Sequence, residues 1–267
     1  MPTEVEGYRL LGPDEPPAFS QWRIGGGSSF VIVADHASNR IPRRLGDLGL
    51  VAAELQRHIA WDIGCLGVAQ QVSEALDAPL IAQNYSRLVV DCNRPPGAES
   101  AIPTQSEWTD IPGNRKLAAE EILARRTELF DPYHERVRTL LDARLAAGRP
   151  TILVAQHSMT DSYKGVRRGM HAAILYNRDR RFAGWVLDRL RQEPNLMVGD
   201  NEPYFLSDET DYTVPHHAES RGLPYVEIEI RQDLILDARG QAEWAQRIVR
   251  VLQDAETAFS ARTGQSG

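Results

Sequence analysis

The most constraining feature of the sequence is a short, unbroken apolar run, Phe30–Ala34, that is rich in β-branched residues. Three successive glycines precede it and Pro42 follows it, so residues that favour turns lie on both sides. A bounded apolar run of this length is typical of a strand buried on both faces of a mostly parallel sheet. Asp35 and His36 follow directly, at the end of the strand where ligands bind in open α/β sheets.

Other short apolar runs alternate with stretches of helical periodicity. Apolar runs occupy residues 79–82 and 88–90, and strands are predicted over 151–155, 172–176 and 225–231. Helices are predicted over 51–59, 66–76, 117–147 with a break at Pro132, 181–191, 214–221 and 241–262. This alternation indicates a three-layer α/β/α fold with a mixed, mostly parallel central sheet.

The length of 267 residues allows one large α/β domain or two small ones. The sequence has no internal repeat and no low-complexity tract, which favours a single domain over residues 1–267. Residues 1–28 are rich in proline and glycine, and we interpret them as an irregular lead-in with one short edge strand over 8–11.

Charge and composition exclude several classes of protein. The formal net charge is −7, which argues against a nucleic-acid-binding surface. No apolar run approaches the roughly 18 residues of a membrane helix, and no signal peptide is visible near the start. Cys65 and Cys92 form neither a disulfide framework nor a zinc-finger spacing. We therefore expect a cytoplasmic protein with no membrane partner.

Two predicted strands deliver a histidine near their carboxyl ends, His36 and His157. If the strands are neighbours, the two imidazoles converge at one edge of the sheet. Two imidazoles and one carboxylate are a common catalytic zinc shell that leaves a position open for water. The alternative is a pair of unrelated loop histidines.

The last predicted strand carries two glutamates. Because side chains alternate along a strand, Glu227, Glu229 and Arg231 face the same side. Two glutamates in a central strand are costly to bury unless a cation compensates them, and at a metal site one can act as general base. The alternative is an edge strand with a solvated acidic face.

A third group of polar residues flanks the run at 88–90. Arg87, Asn93 and Arg94 could hold the carboxylate of an acidic substrate, because the planar guanidinium suits bidentate binding. Considered alone, the segment is better explained as a loop held by a local salt bridge of Asp91.

Together these segments resemble known families. Asp91–Arg94 resembles the Asp-x-Asn-Arg motif of zinc carboxypeptidases, and Glu229–Arg231 resembles their Glu-x-Arg segment with the general base. His157 resembles their second zinc histidine. The ordered segments 35–42, 58–64, 93–95, 156–158, 200–204 and 229–233 resemble the N-formylglutamate amidohydrolase family more closely.

The resemblance implies a phosphorylase/hydrolase-like fold and zinc-dependent cleavage of a formyl or other acyl amide from a small, acidic N-acyl amino acid. It implies Glu229 as general base, His36 and His157 as zinc ligands, and Arg87, Asn93, Arg94 and Arg231 as substrate-binding residues. Carboxypeptidases have a glutamate ligand where this chain has Asn39, so Asp62 is assigned as third ligand. Asp62 as a helix cap is the alternative.

The sequence is also compatible with two other functions. One is a zinc carboxypeptidase or peptidoglycan amidase that acts on a larger substrate. The other is a carboxylate-binding protein without metal, which the asparagine at position 39 keeps possible. Homo-oligomers are compatible with the sequence.

Overall fold

A computed structural model describes residues 8–263, and a seven-stranded sheet forms its centre. In chain order the strands are β1 (Phe19–Trp22), β2 (Phe30–Ala34), β3 (Leu80–Gln83), β4 (Ile152–Met159), β5 (Ala172–Leu175), β6 (Val198–Asp200) and β7 (Tyr225–Arg231). Two hairpins lie outside this sheet: Gln105–Ser106 with Thr109–Asp110, and Ser162–Tyr163 with Val166–Arg167.

The strands lie in the order β1-β3-β2-β4-β7-β5-β6. The central strands β3, β2, β4 and β7 run parallel to one another, whereas β1 and β5 are antiparallel to their inner neighbours. Every residue of β2, β4 and β7 is buried, as expected of strands covered on both faces. The predicted mixed, mostly parallel sheet is confirmed, and the carboxyl ends of β2, β4 and β7 meet at one edge.

Helices cover both faces of the sheet. Within residues 8–263 the α-helices are α1 (Cys65–Leu76), α2 (Ala119–Arg125), α3 (Asp131–Ala146), α4 (Arg181–Arg191) and α5 (Ala238–Thr263). The helices α1, α4 and α5 pack on the face that carries Ile32, Val154 and Ile228. The helices α2 and α3 pack on the opposite face, against Val33 and Ala155. The layers are therefore α/β/α, as predicted.

Short helical turns connect these elements. Turns of 3₁₀ type lie at Arg43–Leu45, Glu54–Gln56, Glu99–Ala101, Pro112–Asn114, Glu219–Arg221 and Gln232–Leu234. Turns of π type lie at Arg126–Phe130 and Val214–Ala218. None of the helices in the described part of the chain is long and apolar enough to cross a membrane.

The long helical region departs from the prediction at its centre. Instead of a break at Pro132, the π turn Arg126–Phe130 leads from α2 directly into α3, and Pro132 lies in the first turn of α3. A change of hydrogen-bond register before the proline accommodates its missing N–H, so the chain continues as a helix.

Two other local predictions are wrong. The helix predicted over 51–59 is only the single turn Glu54–Gln56, because the carbonyl of Leu55 accepts a hydrogen bond from Asn39 Nδ2 instead of a helical partner. The edge strand is Phe19–Trp22 and not residues 8–11. The N–H groups of Leu10 and Leu11 donate to the carboxylate of Glu128, so they are not available to a strand partner.

Candidate metal centre and active-site cavity

A cavity of about 560 Å³ opens at the edge of the sheet where β2, β4 and β7 end. In open α/β sheets this edge is where ligands bind. The cavity walls contain seven of the predicted site residues: His36, Asp62, Arg87, Asn93, Arg94, His157 and Glu229.

Three possible metal ligands converge in this cavity. One ligand atom from each of His36, Asp62 and His157 lies within 4.8 Å of the others, and all three residues are buried. The Nδ1 atom of His36 is 3.5 Å from Asp62 Oδ2, and the Nδ1 atom of His157 is 2.9 Å from the same oxygen. Two ring nitrogens and one carboxylate oxygen therefore lie close enough together to hold a metal ion.

The local sequence explains how these side chains meet. His36 follows β2 directly after Asp35, and His157 lies in the adjacent parallel strand β4. Asp62 lies in the turn before α1, and its N–H donates a 2.9 Å hydrogen bond to the carbonyl of His36. Gly64 has a φ of +76°, and a Cβ at this position would lie 2.1 Å from the carbonyl oxygen of Ile235. Only glycine allows the chain to enter α1 at this angle.

A carboxylate lies behind each histidine ring. The Nε2 atom of His36 donates a 2.7 Å hydrogen bond to Asp91 Oδ1, and the Nε2 atom of His157 is 3.4 Å from Asp35 Oδ2. Such partners orient metal-binding imidazoles and leave the other ring nitrogen for the metal. His36 Nδ1 has no hydrogen-bond partner among the described residues, which leaves that atom available.

The surrounding charges favour a cation at the centre. Burial raises the pKa of Asp62, but the two histidines outweigh this effect and hold the pKa below its usual value. Burial and Arg87 lower the pKa of His36, yet Asp91 and Asp62 raise it above the ordinary value. The pKa of His157 is also raised, against the effect of burial, by nearby carboxylates. The centre thus attracts positive charge.

Glu229 lies beside His157 in the sheet. The two residues are partners in the pairing of β7 with β4, so their side chains project from the same face, and Ala173 of β5 leaves room on the other side. Burial raises the pKa of Glu229 to about 7. Its Oε2 atom lacks a hydrogen-bond partner within residues 8–263, so the carboxyl can accept or release a proton near neutral pH.

Glu227 lies on the same face of β7, opposite Ala155, and also lines the cavity. Burial raises its pKa well above the usual value of a glutamate. The neutral form is therefore favoured at Glu227, in contrast to the carboxylates of Asp62 and Asp91.

Arg87 and Arg94 both line the cavity, but they differ in how many of their guanidinium nitrogens form hydrogen bonds. Arg87 donates from Nε and Nη2 to Asp91 Oδ2, at 3.1 and 2.7 Å, and its Nη1 is 3.5 Å from Asp62 Oδ1. Arg94 uses Nη1 for its hydrogen bonds, which include a 2.6 Å bond to the carbonyl of Thr210. Within the described residues, Nη2 of Arg94 has no recorded hydrogen bond and can take a ligand.

Asn93 holds the loop that closes one side of the cavity. Its Oδ1 accepts hydrogen bonds from the N–H groups of Tyr212 and Thr213, at 3.1 and 3.0 Å. Its Nδ2 donates to Asp211 Oδ1 at 3.2 Å. The side chain therefore shapes the cavity wall that carries Arg94.

Arg231 and Asn39 lie outside the candidate centre. Arg231 is not among the residues that line the cavity; it donates to Asp233 and to the carbonyls of Arg168, Gly169 and Met170. The side chain of Asn39 is bonded to Leu55 and is not part of the metal-ligand cluster.

The sequence did not identify Asp35 and Asp91 as the orienting partners of the histidines. Asp35 precedes His36 directly, and Asp91 lies four residues after Arg87, but aspartates at strand ends commonly serve as turn or capping residues. The neighbouring histidine is the available signal for Asp35, and it becomes specific only once the ring orientations are known.

Comparison with known proteins gives a family match over most of the chain. The sequence profile described as N-formylglutamate amidohydrolase matches residues 28–236. No curated protein matches the chain. The crystal structure of gene product Atu2144 from Agrobacterium tumefaciens is 39% identical, with a TM-score of 0.91, over 94% of this chain and 100% of that one.

A second structure supports the fold. The N-formylglutamate amidohydrolase from Ralstonia eutropha JMP134 is 19% identical, with a TM-score of 0.64, over 91% of this chain and 98% of that one. The profile match spans more than half of the chain and includes every residue of the candidate centre. The chain belongs to the N-formylglutamate amidohydrolase family.

Proposed function

We propose that this amidohydrolase is zinc-dependent and removes a formyl or other acyl group from a small N-acyl amino acid with an acidic side chain. The observation that carries the proposal is the convergence of His36, Asp62 and His157 beside Glu229 in one cavity. An amide hydrolase needs a polarised carbonyl, an activated water and a proton for the leaving amine, and this set of residues can serve all three needs.

The residues fit a zinc ion. The donor set is two imidazoles and one carboxylate, each imidazole has a carboxylate behind it, and His36 Nδ1 is otherwise without a partner among the described residues. Zinc favours this combination in catalytic sites with three protein ligands. When bound, zinc would polarise the acyl carbonyl and lower the pKa of the attacking water.

Glu229 is the proposed general base. Its carboxylate accepts a proton from the attacking water and then donates that proton to the nitrogen of the leaving amine. A pKa of about 7 suits both steps, because the group exchanges protons readily near neutral pH. Burial supports this role, since it excludes the bulk water that would otherwise hold the carboxylate in its charged form.

Arg94 is the proposed anchor of the substrate carboxylate. Its Nη2 is available, whereas all three nitrogens of the Arg87 guanidinium face Asp91 or Asp62. Arg87 contributes positive charge at the cavity wall, and Asn93 holds the loop against which Arg94 lies. We assign Arg231 an indirect part in substrate binding, through the segment 168–170 that it holds.

The test combines metal content with a substrate panel. Protein purified without chelator is assayed for zinc and for hydrolysis of N-formyl, N-acetyl and N-succinyl derivatives of glutamate, aspartate and their neutral amides. We expect about one zinc per chain and preference for an acidic derivative. No turnover of any derivative by zinc-loaded protein would contradict the proposal, and failure to bind zinc would favour a metal-free binding protein.

The carboxylate anchor has its own comparison. Arg94→Gln removes the available nitrogen, so KM for the preferred acidic substrate should rise by roughly 10–100-fold, the usual effect of losing a charge-assisted hydrogen bond. KM for the matching neutral amide should change little. Arg115→Gln removes a surface arginine paired with Asp110 and is the control. Equal effects of R94Q on both substrates would contradict the anchor.

A second candidate is an amidase that acts on a larger amide. The volume of the cavity, about 560 Å³, lies in the range of sites for drug-sized ligands. Phe205 is 69% exposed at the cavity, which leaves an apolar surface beside the opening. A short peptide with an amino-terminal acyl group, added to the panel, distinguishes the two: higher kcat/KM on the peptide favours the larger substrate.

A further inference from the structure

The loop after β6 carries a tyrosine, Tyr204, that lines the cavity. The proposed hydrolysis has so far given this tyrosine no role. The sequence Asp-Asn-Glu-Pro-Tyr occupies residues 200–204, and Tyr204 lines the same cavity as the metal-ligand cluster and Glu229. Part of Tyr204 is open to solvent, since the residue is 38% exposed, but its hydroxyl is hydrogen bonded inside the wall. The phenol oxygen is therefore a polar atom held in place at the wall of the cavity.

Arg168 fixes the position of this hydroxyl. Arg168 is buried, and its Nη1 donates a 2.7 Å hydrogen bond to the Tyr204 oxygen and a 3.3 Å bond to the carbonyl of Thr160. The guanidinium carbon also lies 4.7 Å from the centre of the Tyr204 ring. The carbonyls of residues 168–170 accept hydrogen bonds from Arg231, so the backbone that carries Arg168 is held as well.

The direction of the hydrogen bond leaves the phenol proton free. Because Arg168 can only donate, the Tyr204 oxygen is the acceptor and its own O–H is not used in this contact. Within residues 8–263, no acceptor takes a hydrogen bond from the Tyr204 O–H. A donor whose oxygen already accepts from a cation is polarised, which strengthens the hydrogen bond it can give.

The hydroxyl stays protonated at neutral pH. Burial and the nearby charge of Glu229 raise the pKa of Tyr204 to about 12, although Arg168 and Arg87 act in the opposite direction. Glu229, Arg87 and Tyr204 all line the same cavity.

We propose that Tyr204 is a catalytic residue that donates a hydrogen bond to the acyl oxygen of the amide as negative charge develops there, and that Arg168 is its positioning residue. The inference rests on the proposed amide hydrolysis. Tyr204 keeps its proton throughout, so the proton balance of the reaction remains with Glu229. A preorganised donor at a developing oxyanion stabilises the transition state more than the ground state, and its effect therefore falls on kcat.

The kinetic test uses a matched pair of tyrosines. Tyr163 lines the same cavity, and the centre of its ring lies 5.4 Å from the Arg168 guanidinium carbon, but its hydroxyl makes no hydrogen bond within residues 8–263. Tyr204→Phe should lower kcat by ~10²-fold with KM within ~3-fold, the size of a lost oxyanion donor. Tyr163→Phe should keep kcat within ~2-fold. Equal kcat values for Y204F and the unsubstituted enzyme would overturn the proposal.

A double-mutant cycle tests the positioning role of Arg168. Arg168→Gln should lower kcat by ~10-fold or more when Tyr204 is present, and should have little further effect when Y204F is already introduced. Arg168→Lys, which restores the positive charge, should recover part of the loss. Additive losses from R168Q and Y204F would show that Arg168 does not act through Tyr204, and would overturn that part of the proposal.

A binding experiment separates this inference from the proposed function. Methylphosphonate resembles the tetrahedral, negatively charged carbon centre, and its Kd for zinc-loaded protein can be measured by calorimetry without any turnover. Y204F should weaken methylphosphonate binding by ~10-fold, and Y163F should not change it. If the whole substrate panel is inert but this difference is found, the proposed function fails, and what stands is the hydrogen bond from Tyr204 to a tetrahedral anion in the cavity. Equal binding to Y204F and the unsubstituted protein overturns the inference.

Discussion

At the scale of single residues, the Oδ2 atom of Asp62 is the point at which the interactions of the candidate centre meet. Both Nδ1 atoms of the two histidines face it, and the N–H of Ser158 donates to it at 3.3 Å. The other carboxylate oxygen of Asp62 faces Arg87. Removal of this one carboxylate would leave only two of the three candidate ligands, and two ligands hold a metal cation poorly.

Asp62→Ala should therefore abolish stable zinc binding, because a remnant of two ligands holds a catalytic zinc weakly. We expect less than about a tenth of the zinc content of the unsubstituted protein after dialysis against buffer without metal. Metal analysis of the dialysed protein measures this directly, and circular dichroism checks that the variant is folded.

Asn39→Ala is the control for that experiment. It removes one hydrogen bond to the carbonyl of Leu55, so the free energy of unfolding should fall by about 1 kcal/mol. The zinc content should not change. If N39A loses zinc and D62A retains it, the assignment of the third ligand is reversed.

The two glutamates of β7 should have different roles. Glu229→Gln should keep zinc but lower kcat by roughly 10²–10⁴-fold, because the amide cannot accept a proton from water. Glu227→Gln should lower kcat far less, since the neutral form of Glu227 is already favoured by burial and glutamine preserves its shape. The comparison of kcat and zinc content for both variants measures the difference, and the reverse order would identify Glu227 as the base.

Part of the centre could be predicted from the sequence at this scale. His36 and His157 were predicted because each stands at the end of an apolar run. Glu227 and Glu229 were predicted to share a face because side chains alternate along a strand. The carboxylate of Asp62 could not be placed by pattern alone, because a turn before a helix commonly contains an aspartate for capping. Its position depends on the hydrogen bond from the Asp62 N–H to the carbonyl of His36, which is 26 residues earlier in the sequence.

At the scale of elements, α3 and the turn Val214–Ala218 support the centre from behind. Tyr133 of α3 and Thr213, just before the turn, donate hydrogen bonds to Asp35 Oδ1 at 2.7 and 2.9 Å. A second link joins the same two elements: His217 Nε2 donates to His134 Nδ1 at 2.9 Å, since His134 Nε2 must donate to the carbonyl of Cys92. The two neutral imidazoles thus hold α3 to the turn.

This histidine pair should make the protein sensitive to acid. Burial lowers the pKa of His134 to about 4 and that of His217 to about 2, both below the ordinary 6.5. Below pH 6.5 these two histidines therefore bind protons in the unfolded chain but not in the folded chain, so their contribution to stability falls as the pH falls. When the pH falls from 7 to 5, the free energy of unfolding should decrease by roughly 2 kcal/mol for each of these histidines.

Urea unfolding at several pH values measures this effect by difference. His217→Asn should lower stability at pH 7 through the lost hydrogen bond, but should reduce the dependence of stability on pH between 7 and 5. His171→Asn removes a histidine outside the pair and is the control. An unchanged pH dependence in H217N would show that the pair is not the source of the acid sensitivity.

Long, regular elements were predictable from the sequence, and short ones with competing partners were not. The strands β2 and β7 and the helix α4 have the predicted bounds, because their apolar spacing agrees with their burial. The segment 51–59 has apolar residues at helical spacing. However, Asn39 donates to its Leu55 carbonyl from outside, and its own Arg57 donates to Thr109 of a distant segment. Such tertiary hydrogen bonds are invisible to local propensity.

At the scale of the whole molecule, the candidate centre joins distant parts of the chain. Its residues come from the loop after β2, the turn before α1, β4 and β7, and no segment alone contains more than one of the three candidate ligands. A site assembled in this way exists only when the sheet is complete. Metal binding and folding should therefore be coupled.

Thermal unfolding tests this coupling together with the expectation that the chain is a single domain. One sheet uses strands from residue 19 to residue 231, so we expect a single transition in calorimetry, with equal calorimetric and van't Hoff enthalpies. Free zinc at 100 times its Kd should add about 2.7 kcal/mol of stability, a rise in Tm of roughly 5–10 °C for a chain of this size, and excess chelator should reverse it. Asp62→Ala should show the single transition without the response to zinc. Two transitions, of which zinc moves only one, would mean that the chain has a second unit that folds apart from the metal centre.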